Sequence, residues 1–170
     1  AIDSINPQDE AFGLALRGGV TTACTGPGSA NVVGGTFAIL KLAGKRVDKM
    51  VLRSPAAMKC AFGENPKGCY GQGKKQSPMT RMAVAGLLRE LLMRTIRYRD
   101  DKAAGKNPPL DVKLEAMLPV VNREIPIKCH AHRADDIMTA VRIAREFDLK
   151  LTLDHCTDGE IIADELAEEG

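Results

Sequence analysis

Two segments near the end of the sequence constrain the fold more than any other feature. Ile125 to Ala131 and Leu149 to His155 are each short and apolar at alternate positions, and each is followed by a stretch of helical length, about Ala134 to Phe147 and about Asp158 to Glu168. Strand, helix, strand, helix calls for parallel strands joined by right-handed crossovers, since a tight turn cannot join a parallel pair. The earlier chain continues the theme. Pro7 to Arg17 is predicted as a helix opened by Asn6-Pro7 and stopped by Gly18-Gly19, and Val20 to Thr25 as a β-branched strand. A glycine-rich loop, Gly26 to Gly35, leads to the apolar stretch Thr36 to Leu42, and Val47 to Leu52 is predicted as a further strand.

The middle is built differently. Ala56 to Phe62 suits a short buried strand, while Gly63 to Ser77 is rich in glycine, proline and serine and is expected to be a loop. Ser77-Pro78 is a helix-start signal. From Met82, apolar residues at Ala85, Leu88, Leu92 and Ile96 recur at helical spacing, which predicts one long amphipathic helix to about Ala104. Lys106 to Pro109 breaks it, and Leu110 to Asn122 is a further predicted helix. The chain closes on Glu168-Glu169-Gly170, a helix end with a glycine stop and no strand after it, as expected of a truncated α/β chain.

Composition excludes several classes. With 24 Lys plus Arg against 22 Asp plus Glu, the net charge of +2 offers no field to recruit nucleic acid or an acidic membrane surface. No apolar run approaches the roughly 20 residues needed to span a bilayer, and no secretory leader pattern opens the chain. Five cysteines without a Cys-x-x-Cys pair suit reduced thiols in the cytoplasm.

All three histidines fall at strand ends, where parallel α/β folds gather their functional groups. Period-two alternation puts Lys128, His130 and His132 on one face of their strand, and Leu151, Leu153 and His155 on one face of the next. If the two strands pair, they lie about 4.8 Å apart, and imidazoles that close can share one metal ion. His132, just past its strand, is placed either to contact substrate or simply to face water.

Several segments resemble the amidohydrolase superfamily, in its imidazolonepropionase-related and prolidase-like branch. They are Pro126-Ile-Lys-Cys-His-Ala-His-Arg-Ala-Asp-Asp-Ile137, Leu153-Asp-His-Cys-Thr-Asp-Gly159, Gly18-Gly-Val-Thr-Thr22 with Pro27-Gly-Ser-Ala-Asn31 and Gly34-Gly35, and Met58-Lys-Cys-Ala-Phe-Gly-Glu-Asn-Pro-Lys67. The resemblance implies a TIM barrel with one or two divalent metals, zinc first among them, activating water against a C–N bond. It makes His130 and His155 metal ligands, and Lys59 the candidate for a carboxylated lysine bridging the metals; Glu64 joins His132 as a candidate substrate-side residue. The family's first-strand His-x-His pair and eighth-strand Asp have no counterpart, the only His-x-His being at 130–132. Residues 1–170 are therefore expected to be the central portion of a longer hydrolase domain, a partial (β/α)8 barrel lacking its first and last strands. Such a piece is expected to be inactive alone and to self-associate through its uncovered edges. Its expected ligand is a small-molecule substrate, not nucleic acid or membrane.

Other signals rank lower. Gly26 to Gly35 lacks the lysine of a phosphate-binding loop and suits a βα connection walling the pocket. The basic residues between Arg81 and Lys106 are diluted by Glu90, Asp100 and Asp101 and suit a solvated helix face. Cys129 and Cys156, beside histidines on a strand, should face the helices as small apolar residues. Rival readings are a non-catalytic α/β binding module and a lyase or isomerase on the same barrel.

Overall fold

The computed structural model describes residues 1–169. Five strands form one sheet in sequential order: β1 Thr22–Thr25, β2 Val33–Lys41, β3 Val51–Ala61, β4 Ile127–Ala131 and β5 Leu151–His155. The sheet is mixed. β1 to β3 pair antiparallel, and β3 to β5 pair parallel. The expected all-parallel sheet is thus corrected for its first half, and the reason is connection length. Residues 26–32 and 42–50 are too few for a crossover, which needs roughly a dozen residues or more, so the chain folds back on itself there. The glycine loop is accordingly a strand-to-strand connection, not a βα one.

Among the described residues seven α-helices accompany the curled sheet in a mixed α/β fold consistent with a partial barrel: α1 Glu10–Arg17, α2 Val47–Met50, α3 Glu64–Lys67, α4 Arg81–Ala103, α5 Val112–Val121, α6 Ala134–Glu146 and α7 Ala163–Glu169. Side-chain caps set the starts of α1, α4 and α5. The Asp9 carboxylate accepts from Ala11 N, so α1 begins three residues after the Asn6-Pro7 signal; Thr80 accepts from Ala83 N and opens α4 after Ser77-Pro78. Asp111 likewise accepts from Lys113 N and Leu114 N at α5.

Four local expectations are revised. Val47 to Leu52 splits into the single turn α2 and the first residues of β3, because Met50 turns inward and is fully buried. Ala56 to Ala61 belongs to the buried end of that long β3, and Phe62 lies just beyond it. The expected loop after it contains α3 and a single π-helical turn, Gly68–Gln72. Gly63 makes this sharp entry possible. Its φ of +74° suits glycine, and a Cβ there would lie 2.4 Å from Asp136 Oδ2. The last helix starts only at Ala163, and Gly170, the expected stop, lies outside the described residues.

Parallel register gives β3 to β5 two unlike faces. Met58 and Cys60 align with Ile127 and Cys129 and then with Leu151 and Leu153, all packed against the helices. α4 covers this face with Val84, Leu88 and Leu92, while Met117 and Val120 of α5 and Ile137 and Ile143 of α6 complete the core. Thr95 and Tyr98 extend the buried stripe of α4, whereas Ile96 is only half-buried. Ion pairs hold the outer surfaces in place: Arg89 binds Glu146 of α6, and Lys102 binds Glu115 of α5. Each of the seven cations expected on the solvated face, from Arg81 to Lys106, has a carboxylate partner. No helix of the described residues is long and apolar enough to cross a membrane.

These faces make a direct prediction. Leu92→Ala should cost about 2–5 kcal/mol, the usual range for emptying a core leucine site. Met93→Ala, at a position 56% exposed, should stay within about 0.5 kcal/mol of the parent in urea denaturation.

Candidate functional site

The other face of β3 to β5 carries polar groups in register. Lys59 aligns with Lys128 and Thr152, and one step on Ala61 aligns with His130 and Asp154. A parallel pairing places aligned residues on the same face, so this row brings Lys59, Lys128, His130 and Asp154 together. Asp154 is the residue that sequence reasoning missed. Alternation along each strand was visible, but the stagger between strands was not.

His155 reaches the cluster by another route. Register pairs it with Ala131, whose side chain is fully buried on the helix-packed face, so a regular strand would point the imidazole away from His130. Instead His155 has φ +72° and Cys156 φ +48°, both in the left-handed region that costs a non-glycine residue about 1–3 kcal/mol. The break swings the ring inward. Cys156 N donates to Ala131 O and Asp158 N to His132 O, each at 2.9 Å, which stitches the end of β5 to the end of β4. The Asp158 carboxylate also accepts from Ala134 N at the start of α6.

Three imidazoles consequently meet. His130 lies 4.6 Å from His155 and 4.7 Å from His132, centroid to centroid and edge to face, while His132 stacks on His155 at 5.1 Å. His130 is buried, and its Nδ1 has no hydrogen-bond partner. His132 and His155 are exposed, with His132 Nδ1 2.6 Å from Thr157 Oγ1. Burial, and then the positive potential of His155, His132 and Lys59, lower the His130 pKa to about 4 against the opposing pull of Asp154. The ring is therefore neutral at physiological pH, with a lone pair to offer. No three His, Cys, Asp or Glu groups among the described residues already converge as a metal cage.

Lys59 is buried, and its Nζ lies 3.3 Å from Asp154 Oδ2. Lys128 Nζ is 2.5 Å from the other oxygen, Oδ1. Burial would raise the Asp154 pKa, but the two lysines outweigh it and keep the carboxyl below its usual range. Both ammonium groups also lie over the Phe37 ring, at 5.9 Å for Lys59 and 5.7 Å for Lys128. The glycine loop passes close above that ring. A Cβ on Gly26 would come within 2.6 Å of it, so this residue seats Phe37 as a wall of the site.

Glu64 is held elsewhere. Its exposed carboxylate accepts from Lys67 and Arg81, each at 2.9 Å; these bonds lower its pKa, and Arg81 connects it to the buried Asp136. The cysteines follow the apolar expectation. Cys129 is fully buried beside Cys60, and Cys156 packs against the core; burial raises both thiols, and neither is a ready nucleophile.

A metal-free NMR titration should show His130 neutral down to about pH 4, well below an ordinary imidazole near 6.5. Because unfolding restores the higher value, the unfolded chain binds the extra proton first. Stability contributed by this group should be complete above about pH 6.5 and fall as pH drops toward 4. His130→Asn should flatten that part of a stability–pH curve.

No family model matches the chain. It is similar to the amidohydrolase tasK of Hapsidospora irregularis, with 28% identity over 179 residues covering 91% of this chain and 18% of that protein. It also superimposes on the crystal structure of an amidohydrolase from Thermotoga maritima MSB8, with a TM-score of 0.94 and 43% identity over 99% of this chain and 45% of that one. The chain thus spans less than a fifth of the first protein and under half of the second. Two proteins bearing that name, one matched in sequence and one in both sequence and fold, support the amidohydrolase resemblance.

Proposed function

We propose that this chain forms part of a metal-dependent hydrolase acting on C–N bonds, within the imidazolonepropionase-related and prolidase-like branch of the amidohydrolases. The observation that carries the reading is the meeting of His130 and His155 at the ends of adjacent parallel strands, 4.6 Å apart. The fit to a metal rests on His130 itself: a buried imidazole, neutral at physiological pH, with an unpartnered Nδ1. His130 and His155 would hold a divalent ion, zinc first among the choices for nitrogen donors. When bound, that ion polarises the scissile carbonyl and acidifies water.

The remaining roles follow from charge. Lys59, in the same row, can join the ligand set only once its Nζ is uncharged, as the amine or as its carboxylated form; as an ammonium it pairs with Asp154. Asp154 has both oxygens occupied by lysines and a lowered pKa, so it makes a poor proton acceptor. These residues bind and orient without supplying a general base, consistent with a chain that is inactive on its own. His132, exposed and anchored by Thr157, faces a small-molecule substrate. Glu64 approaches a substrate only if it leaves Lys67 and Arg81. The unpaired cysteines support a reducing, cytoplasmic setting.

Metal analysis of the whole protein of which this chain is part should give about one or two equivalents of zinc, lost in His130→Ala and His155→Ala. Absence of zinc binding would favour a non-catalytic module. Turnover by the whole protein without release of an amine and a carboxylate would favour a lyase or isomerase. The free outer edges of β1 and β5 also lead us to expect association of copies. A single-chain mass in light scattering at micromolar concentration would count against it.

A further inference from the structure

On the helix-packed side of β3, away from the histidine cluster, lies another cleft. It has a volume of about 540 Å3 and opens between the start of β2, α4 and α5. Met58 and Met117 form its buried floor, and Val33 and Leu91 its half-buried sides. Lys59, the next residue after Met58, points to the opposite face of β3, so the sheet separates this cleft from the polar row. At one end Tyr70 donates to Asn31 Oδ1, which satisfies the hydroxyl and leaves the ring as wall. The charged groups of the described lining are two cations, Arg94 and Lys113, with no carboxylate among them.

Both cations stand at the same end. Asp111 Oδ1 accepts from Lys113 N at the start of α5, while Asp111 Oδ2 lies 3.4 Å from Arg94 Nη2. That carboxylate is outside the cleft lining, and it leaves the Lys113 ammonium without an acidic partner among the described residues. Arg94 engages it through one nitrogen and keeps its other N–H donors. An apolar trough ended by two cations is complementary to a molecule with a hydrocarbon body and one negative charge. We propose that this cleft binds a small alkyl or aryl carboxylate, its body over Met58 and Met117 and its carboxylate at Lys113 and Arg94. Leu87, 38% exposed, and the exposed Ala116 border the mouth, and a bound chain removes both from water. Apolar burial supplies the affinity. The cations, themselves open to solvent, select the sign of the charge. This site is independent of the hydrolase reading, because none of its residues belongs to the polar row.

The test is calorimetric titration of the whole protein of which this chain is part with octanoate, octylammonium and acetate. Octanoate should bind saturably, with octylammonium about tenfold or more weaker. Acetate, which has the charge without the body, should not bind detectably. Ala116→Trp fills the cleft from an exposed position without opening the core, and it should abolish octanoate binding. Lys113→Glu should weaken octanoate about tenfold and Lys113→Arg should keep it, with circular dichroism confirming that all three variants fold. Octanoate binding that survives both Ala116→Trp and Lys113→Glu lies elsewhere, at a metal for instance, and overturns the proposal. Equal affinity for octylammonium, or no octanoate binding at all, overturns it too. Binding to phosphatidylglycerol vesicles that Ala116→Trp removes, with none to free octanoate, assigns the cleft to a membrane surface and has the same consequence. Zinc content should match the parent in all three variants, so the absence of zinc removes only the hydrolase reading and the absence of octanoate binding only this one.

Discussion

The parallel register of β3, β4 and β5 is the constraint on which the rest of the structure depends. It sorts alternate residues of three strands into a row that packs on the helices and a row that does not. On the packed side, Met58, Ile127 and Leu151 share a core with the cysteines and with the long helix α4. On the other side, that stagger makes Lys59, Lys128, His130 and Asp154 neighbours. A slip of one residue would bury two lysines against leucines and expose the core, so hydrophobic burial and site assembly are enforced by the same pairing.

Within the site, opposite electrostatic regimes stand side by side. His130 is kept uncharged because burial and nearby cations both disfavour its protonation. A few ångströms away, Asp154 is kept charged because two lysines outweigh the cost of its partial burial. The separation suits a centre in which imidazoles donate lone pairs while ammonium groups hold or attract anions. The strained end of β5 completes it. His155 joins the imidazole cluster only because the chain leaves extended geometry there, and the backbone bonds to Ala131 and His132 keep that turn in place.

Much of the architecture was legible in the chain because its signals are local. The helical spacing from Met82 onward predicted α4, and the apolar alternation before His130 and His155 predicted β4 and β5. The pairing of the first three strands was not legible, since Val33–Lys41 and Val51–Ala61 carry no mark of direction and only the brevity of their connections makes them antiparallel. The turns at Glu64–Lys67 and Gly68–Gln72 escaped notice because glycine-rich composition resembles a loop.

The amino-acid order alone determined that histidines would fall at the ends of two strands, that Lys128 would share a face with His130, and that Cys129 would turn to the helices. These follow from periods of two and of about 3.6, which are properties of a single segment. Tertiary structure decided that Asp154 sits between two lysines, that His155 turns back toward His130, and that Glu64 is tied to Arg81. Each of these depends on how segments distant in the chain align, and that alignment is set by burial of the shared core, which no single segment encodes.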